Sequence, residues 1–291
     1  MLRITQRSMA DGTYANLQAS LARSASLQEQ LSSGKQVAKP SDNPTGATDI
    51  LQLRAERSAN DQYLRNADNG LSWLGTADTA LQQTSAAVRH ARDLTVQGGN
   101  GSLSQTGRDA LAKELRQVRD SLVELGNTQY LGRPVFGGTT GGGTAFDATG
   151  TYVGDTGTVQ RRVGADSTVR VDVDGPGAFG SGATSVFATL DGIIADLESG
   201  GSPTARLAAL DTAHERVLGA LADVGARTNR IETLQAKGTD AAVSLRSAQS
   251  QIEDVDLPKT ILELQLQSTA YQAALGATAR VLQPTLLDFL R

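Results

Sequence analysis

The sequence predicts a mainly α fold, a long helical rod or bundle built from both termini with a small antiparallel β insert domain in the middle. Three observations carry that prediction. Residues 1–131 and 187–291 are rich in Ala, Leu, Gln and Ser and set apolar residues at helical spacing. Residues 132–182 hold 14 of the 31 glycines and switch to alternating apolar and polar positions. Only 4% of the chain is aromatic against 39% hydrophobic, a balance suited to thin bundles of Leu, Ala and Val.

In chain order, residues 4–33 carry Leu17, Leu21, Leu27 and Leu31 on roughly one side of a helix otherwise made of Ser, Gln, Ala and Arg. A stripe that narrow makes a helix marginal by itself. Gly34, Pro40 and Pro44 interrupt the next stretch, LSSGKQVAKPSDNPTGA. Asn43 before Pro44 reads as an N-cap with proline in the first turn of a new helix. Two helices are expected before Pro134. The first carries Asn60, Leu64, Ala67, Leu71, Leu74, Leu81 and Val88. GGNGSLSQTG (98–107) is a loop by composition, and the second helix carries Leu111, Leu115, Val118, Leu122 and Leu125 at 4-3-4-3 spacing.

The glycine-rich segment contains GGTTGGG, a turn-forming run. Val159–Val163 and Val169–Val173 then alternate with polar residues, which predicts short antiparallel strands. A short helix follows in VFATLDGIIADLESGG. Pro203 opens a long one, whose 3-4 register runs through His214, Val217, Leu221, Val224, Thr228, Ile231, Gln235, Gly238, Ala242, Leu245, Gln249 and Ile252. Pro258 breaks or kinks it, and a last helix carries Leu264, Tyr271, Leu275, Leu282 and Leu286. The expected domains are terminal helices (1–40 plus 253–291), a helical rod (41–135 plus 186–252) and a β-hairpin insert (136–185).

Composition narrows the chemistry. The net charge of −4 and the lack of a basic block give no footprint for nucleic acid. No run of 18 apolar residues predicts a membrane span. The opening MLRITQRSMADGTYANL has no apolar core of a cleaved signal, so a cytosolic protein, or one exported without such a signal, is expected. With no cysteine and two distant histidines, thiol chemistry is excluded and a metal site would be almost wholly carboxylate. His214 lies on the apolar seam and reads as a core histidine. Asp254 and Asp256 read as helix-end or interface residues before cation ligands. GGTTGGG lacks the lysine and hydroxyl residue of a phosphate loop. No catalytic residue, cofactor or metal is expected. The Leu stripes of the two ends bury little if they pair only with each other, so they are expected to be loose in the monomer and to order between subunits.

Several stretches resemble the flagellin superfamily: LSSGKQVAKPSDNPTGATDILQLRAE (31–56), RNADNGLSWLGTADTAL (65–81), and the C-terminal stretch from Ile252 with its acidic opening, Gln/Ala-rich body and Leu-Leu-x-x-Leu ending. Within it, SDNPTGA (41–47), NTQYLGRPVFGGT (127–139) and GARTNRIE (225–232) look more like the third hook-associated proteins, the hook–filament junction family, than like flagellins.

The resemblance implies a structural protein of the bacterial flagellum, exported unfolded through the flagellar type III apparatus. The implied partners are the first hook-associated protein, flagellin, further copies of the chain, and an export chaperone on the C-terminal helix. It assigns an inner-layer assembly role to Leu17, Leu21, Leu27, Leu31, Leu264, Tyr271, Leu275, Leu282, Leu286 and Leu290. The alternative it leaves is a flagellin or minor flagellin that forms the filament itself.

Overall fold

The computed structural model describes residues 2–281. Its elements are α1 (Leu2–Ser33), α2 (Pro44–Gly98), α3 (Gln105–Gly126), β1 (Gln129–Tyr130), β2 (Arg133–Pro134), β3 (Gln160–Gly164), β4 (Ser167–Arg170), α4 (Gly175–Phe179), α5 (Val186–Glu198), α6 (Leu207–Glu253) and α7 (Leu257–Val281). The chain forms two compact units. One is residues 59–241; the other joins the described residues before Ala59 to those from Ala242 onward.

Local chemistry sets the helix ends. The Asn43 side chain accepts from the Gly46 N–H at 2.9 Å, with Pro44 at the first helical position of α2. Ser104 caps α3 by accepting from the Gly107 N–H, and Ser185 caps α5 by accepting from Ala188. Asn127 follows α3 and joins it to the insert. Its side chain accepts from the Ala145 and Phe146 N–H groups and donates to the Phe146 carbonyl, each at 2.8 Å.

Within residues 59–241, α2 and α6 run antiparallel. Hydrogen bonds or ion pairs join Asn60 to Gly238, Asp68 to Gln235, Ser85 to His214 and Arg92 to Asp211, so one number rises as the other falls. Helices α3 and α5 pack together in the same unit. The shared core takes Leu74, Leu81 and Val88 from α2, Leu115 and Leu122 from α3, Leu190, Ile193 and Leu197 from α5, and Leu210, Val217, Val224 and Ile231 from α6. Gly70 sits where a Cβ would meet Ile231 at 3.1 Å, so a small residue lets the long helices close up.

The insert adds the aromatic part of that core. Phe146 lies 5.1–5.4 Å, ring centre to ring centre, from Tyr152, Phe179 and Phe187, and Phe136 meets Phe179 edge-on. Strands β3 and β4 pair antiparallel, with an irregularity between Arg162 and Gly164. The expected second strand ran to Val173, but β4 ends at Arg170. The cause is Asp172, whose buried carboxylate accepts from the Val159 N–H at 2.7 Å and pairs with Arg170, replacing a ladder bond with a side-chain bond. The β1–β2 hairpin and α4 were not expected. The hairpin turns through Leu131 (φ 49°) and Gly132 (φ 76°), the left-handed pair of a tight two-residue turn.

Candidate assembly surface on the terminal helices

Helices α1 and α7 pack against each other in the smaller unit. The pairing is antiparallel: Lys35 bridges Asp254 near one end, and Gln267 Nε2 donates to the Ser20 carbonyl and hydroxyl farther along. On α1 the shielded positions are Thr13, Leu17, Ser20, Ser24, Leu27 and Leu31, a 4-3-4-3-4 spacing, with Gln30 beside Leu31. On α7 they are Thr260, Leu264, Gln267, Tyr271, Ala274 and Thr278, a 4-3-4-3-4 spacing. This is the geometry of a coiled-coil seam, yet about half of its positions are Ser, Thr or Gln. Of these seam leucines Leu27 is the buried one, at 8% exposure, and Leu17, Leu31 and Leu264 are half-buried.

Larger apolar side chains point elsewhere. Tyr14 and Leu21 on α1 are 65% and 57% exposed. On α7, Leu257, Ile261 and Leu275 flank the seam, and Leu262 and Leu266 lie one turn apart on its far side. Helix α7 carries charge only at Lys259, Glu263 and Arg280. Large apolar side chains standing exposed together on one helix mark a surface that another chain can cover.

The expected interface residues therefore divide. Leu17, Leu27, Leu31, Leu264 and Tyr271 are turned into the α1–α7 seam, whereas Leu21 and Leu275 are exposed. Leu21 leaves the expected stripe because Leu17 already lies at one edge of the seam, and four residues add about 40° beyond a full turn in the outward direction. Leu282, Leu286 and Leu290 lie outside the described residues.

A polar clasp fixes the base of this pair. The Glu253 carboxylate, 4% exposed, is reached by Lys35 Nζ at 2.5 Å, Arg54 Nη2 at 2.7 Å and Gln249 Nε2 at 2.5 Å. Burial pushes its pKa up, but the hydrogen bonds from Lys35 and Gln249 and the charges of Arg54 and Lys35 outweigh it and bring the group from 4.5 to about 2. The backbone joins in: Gln36 N–H donates to the Glu253 carbonyl and Val255 N–H to Gly34. Nothing in local spacing marks Glu253, since Lys35 is 218 residues away in the chain.

Other singled-out residues have structural partners. Asp256 accepts from the Lys259 N–H and so caps α7, and Asp254 accepts from Ser250. His214 is half-buried and bonded to Ser85 at 2.9 Å, and His90 meets Glu114 on the surface. The GGTTGGG run is pinned by Asp155, whose carboxylate accepts from the Thr139 hydroxyl and N–H and from the Gly157 N–H. These bonds hold its pKa below the usual value, the Thr139 hydroxyl first among them. Among the described residues, no helix is long and apolar enough to cross a membrane.

Terminal helices enclosing a β insert are a pattern that known proteins share. Residues 4–140 match the bacterial flagellin N-terminal helical region, and residues 207–290 the bacterial flagellin C-terminal helical region. The flagellar hook-associated protein 3 of Escherichia coli K12 is 30% identical over 276 residues, covering 86% of this chain and 87% of that protein. This chain belongs to the flagellar hook-associated protein 3 family of the flagellin superfamily. The hook-associated protein 3 of Salmonella typhimurium LT2 is 29% identical over 300 residues, with 94% of this chain and 95% of that one covered. A solved chain from Vibrio parahaemolyticus, assigned as a flagellar hook-associated protein, superposes with a TM-score of 0.68 at 26% identity. It covers 73% of this chain and 100% of its own. The family's members are structural flagellar proteins, and the mainly α architecture with a central β insert is theirs too.

Proposed function

We propose that this chain joins the hook of the bacterial flagellum, through the first hook-associated protein, to the flagellin filament. The observation that carries this reading is the mismatch on the terminal helices. Their mutual seam is half polar, while leucines and a tyrosine stand in water around it. Such a surface is satisfied by further helices, and head-to-tail contacts that do not close into a ring build a helical tube.

In this reading residues 1–40 and 253–291 order on assembly into the inner layer. Residues 41–135 with 186–252 form the outer helical wall, and residues 136–185 project as the insert. Leu17, Leu27, Leu31, Leu264 and Tyr271 set the α1–α7 pair. Leu21 and Leu275, with Leu282, Leu286 and Leu290 beyond the described residues, meet neighbouring subunits. One axial face takes the first hook-associated protein and the other takes flagellin. The apolar α7 surface is also what an export chaperone covers before the chain leaves the cell for its extracellular position. The protein performs no catalysis.

Deleting the gene tests the reading. Hooks that persist while flagellin is shed into the medium support it. Filaments that still attach to their hooks overturn it. A protein found in thousands of copies along the filament, instead of one short layer at the hook, is a flagellin instead.

A further inference from the structure

The chain contains the dipeptide Asn-Gly twice, at Asn69-Gly70 and Asn100-Gly101, and the fold treats the two oppositely. Asn69-Gly70 lies inside α2, where the Gly70 nitrogen is committed to the helix. Gly70 is buried against Ile231 and Val171, and the Asn69 side-chain oxygen Oδ1 accepts from Arg161 Nε at 2.8 Å. Asn100-Gly101 lies in the exposed turn between α2 and α3. The Gly101 N–H has no acceptor among the described residues, and a Cβ there would meet nothing within 4 Å. The Asn100 side-chain carbonyl oxygen accepts two hydrogen bonds from Ser102, from its N–H at 3.1 Å and its hydroxyl at 2.7 Å.

We propose that Asn100 is a site of spontaneous covalent modification, in which the exposed turn converts its amide to a carboxylate while Asn69 is spared. The Gly101 backbone nitrogen loses its proton to water and attacks Asn100 Cγ. A C–N bond forms, the bond from Cγ to Nδ2 breaks, and ammonia leaves with a proton returned from solvent. Water then opens the resulting five-membered imide at either carbonyl, giving aspartate or isoaspartate. No oxidant or cofactor takes part. Two features favour the attack. Glycine at 101 has the backbone freedom to bring its nitrogen over Cγ. The two Ser102 donors sit on the oxygen where negative charge develops, the arrangement that stabilises acyl-transfer intermediates.

The product alters the turn. Isoaspartate routes the backbone through the side chain and adds a methylene between the Asn100 N–H bond to Gln97 and the Leu103 N–H bond to the Asn100 carbonyl. The same turn packs tightly through Gly98 against Leu197 and Gly99 against Thr204, so its ageing loosens one end of the larger unit.

The test is to incubate the folded full-length protein at mildly alkaline pH and follow its tryptic peptides by mass spectrometry, with isoaspartate-resolving fragmentation. Peptide 93–108 reports Asn100 and peptide 66–89 reports Asn69. Conversion at Asn100 is expected to be at least about tenfold faster than at Asn69, whose reaction waits on opening of a packed helix. In denaturant the two rates should converge. Ser102→Ala should slow Asn100 by about threefold, the loss of one of two donors in a wet site. Equal rates in the folded protein, an Asn100 that stays unconverted, or a Ser102→Ala rate equal to the parent's overturns the proposal.

Discussion

The unit of residues 59–241 hides its large side chains, while the unit made from the two ends displays them. All twelve of the largest fully buried residues, from Trp73 to Leu197, belong to the first. In the second, the buried apolar residues among those described are Leu27, Val37 and Ile50. Of the thirteen exposed large hydrophobics among the described residues, nine lie in the second, namely Tyr14, Leu21, Leu51, Val243, Leu257, Ile261, Leu262, Leu266 and Leu275. Both units consist mainly of long helices, so helical content does not separate them. Their difference is whether apolar surface is buried within the unit or left exposed. Burial at about 25 cal/mol per Å² therefore stabilises the first unit far more than the second.

The largest expected effect is on the closed core. Phe146→Ala removes a ring that touches three others and should lower stability by about 3–5 kcal/mol. The single tryptophan, Trp73, is buried in that unit, so its fluorescence reports the transition there, and helical circular dichroism reports both units. A Phe146→Ala transition that moves in helicity but not in fluorescence would break the comparison.

Next comes the clasp. Glu253 has a folded pKa of about 2 against an ordinary 4.5. Its stabilisation is therefore present above about pH 4.5 and is lost as the pH falls through about 2. Glu253→Gln should cost about 2 kcal/mol, less than the whole shift because Lys35 and Arg54 are half exposed. It should speed proteolysis of α1 and α7 and flatten that acid dependence, while the Trp73 transition stays in place.

Ser104→Ala removes the α3 cap and should cost about 1 kcal/mol, read in the Trp73 transition. Smallest for stability is Leu275→Asp, at about 0.5 kcal/mol or less because the side chain is exposed. In the proposed assembly the same change puts a charge into a contact between subunits and is expected to abolish polymerisation and filament attachment. Loss of helicity in Leu275→Asp monomers would show that the exposed leucines serve the fold instead.

Much of the fold could be read from the chain. Asn43-Pro44 announced the start of α2, Pro258 the break between α6 and α7, and the 4-3-4-3 leucines of 111–125 the inward side of α3. The valines of 159–173 marked the β insert. The β1–β2 hairpin escaped because two-residue strands have no period, and α4 because Gly-Pro-Gly reads as a turn. Leu17, Leu21, Leu27 and Leu31 read as one stripe, but the helix separates Leu21 from the rest. The clasp left no trace, since Lys35, Arg54 and Glu253 meet only after both ends have folded back.

The sequence by itself determined the order of the long helices, the place of the insert and the family, because caps, prolines and apolar period act over a few residues; α3 begins at Gln105, inside the expected loop, and α6 at Leu207, one turn after Pro203. Tertiary structure alone decided which leucines of the terminal helices face inward, that Glu253 closes the base of the terminal pair, and that Asn69 is shielded where Asn100 is open. Those outcomes depend on groups far apart in the chain. A residue's burial and charge environment is set by what packs against it, and local spacing does not encode that partner.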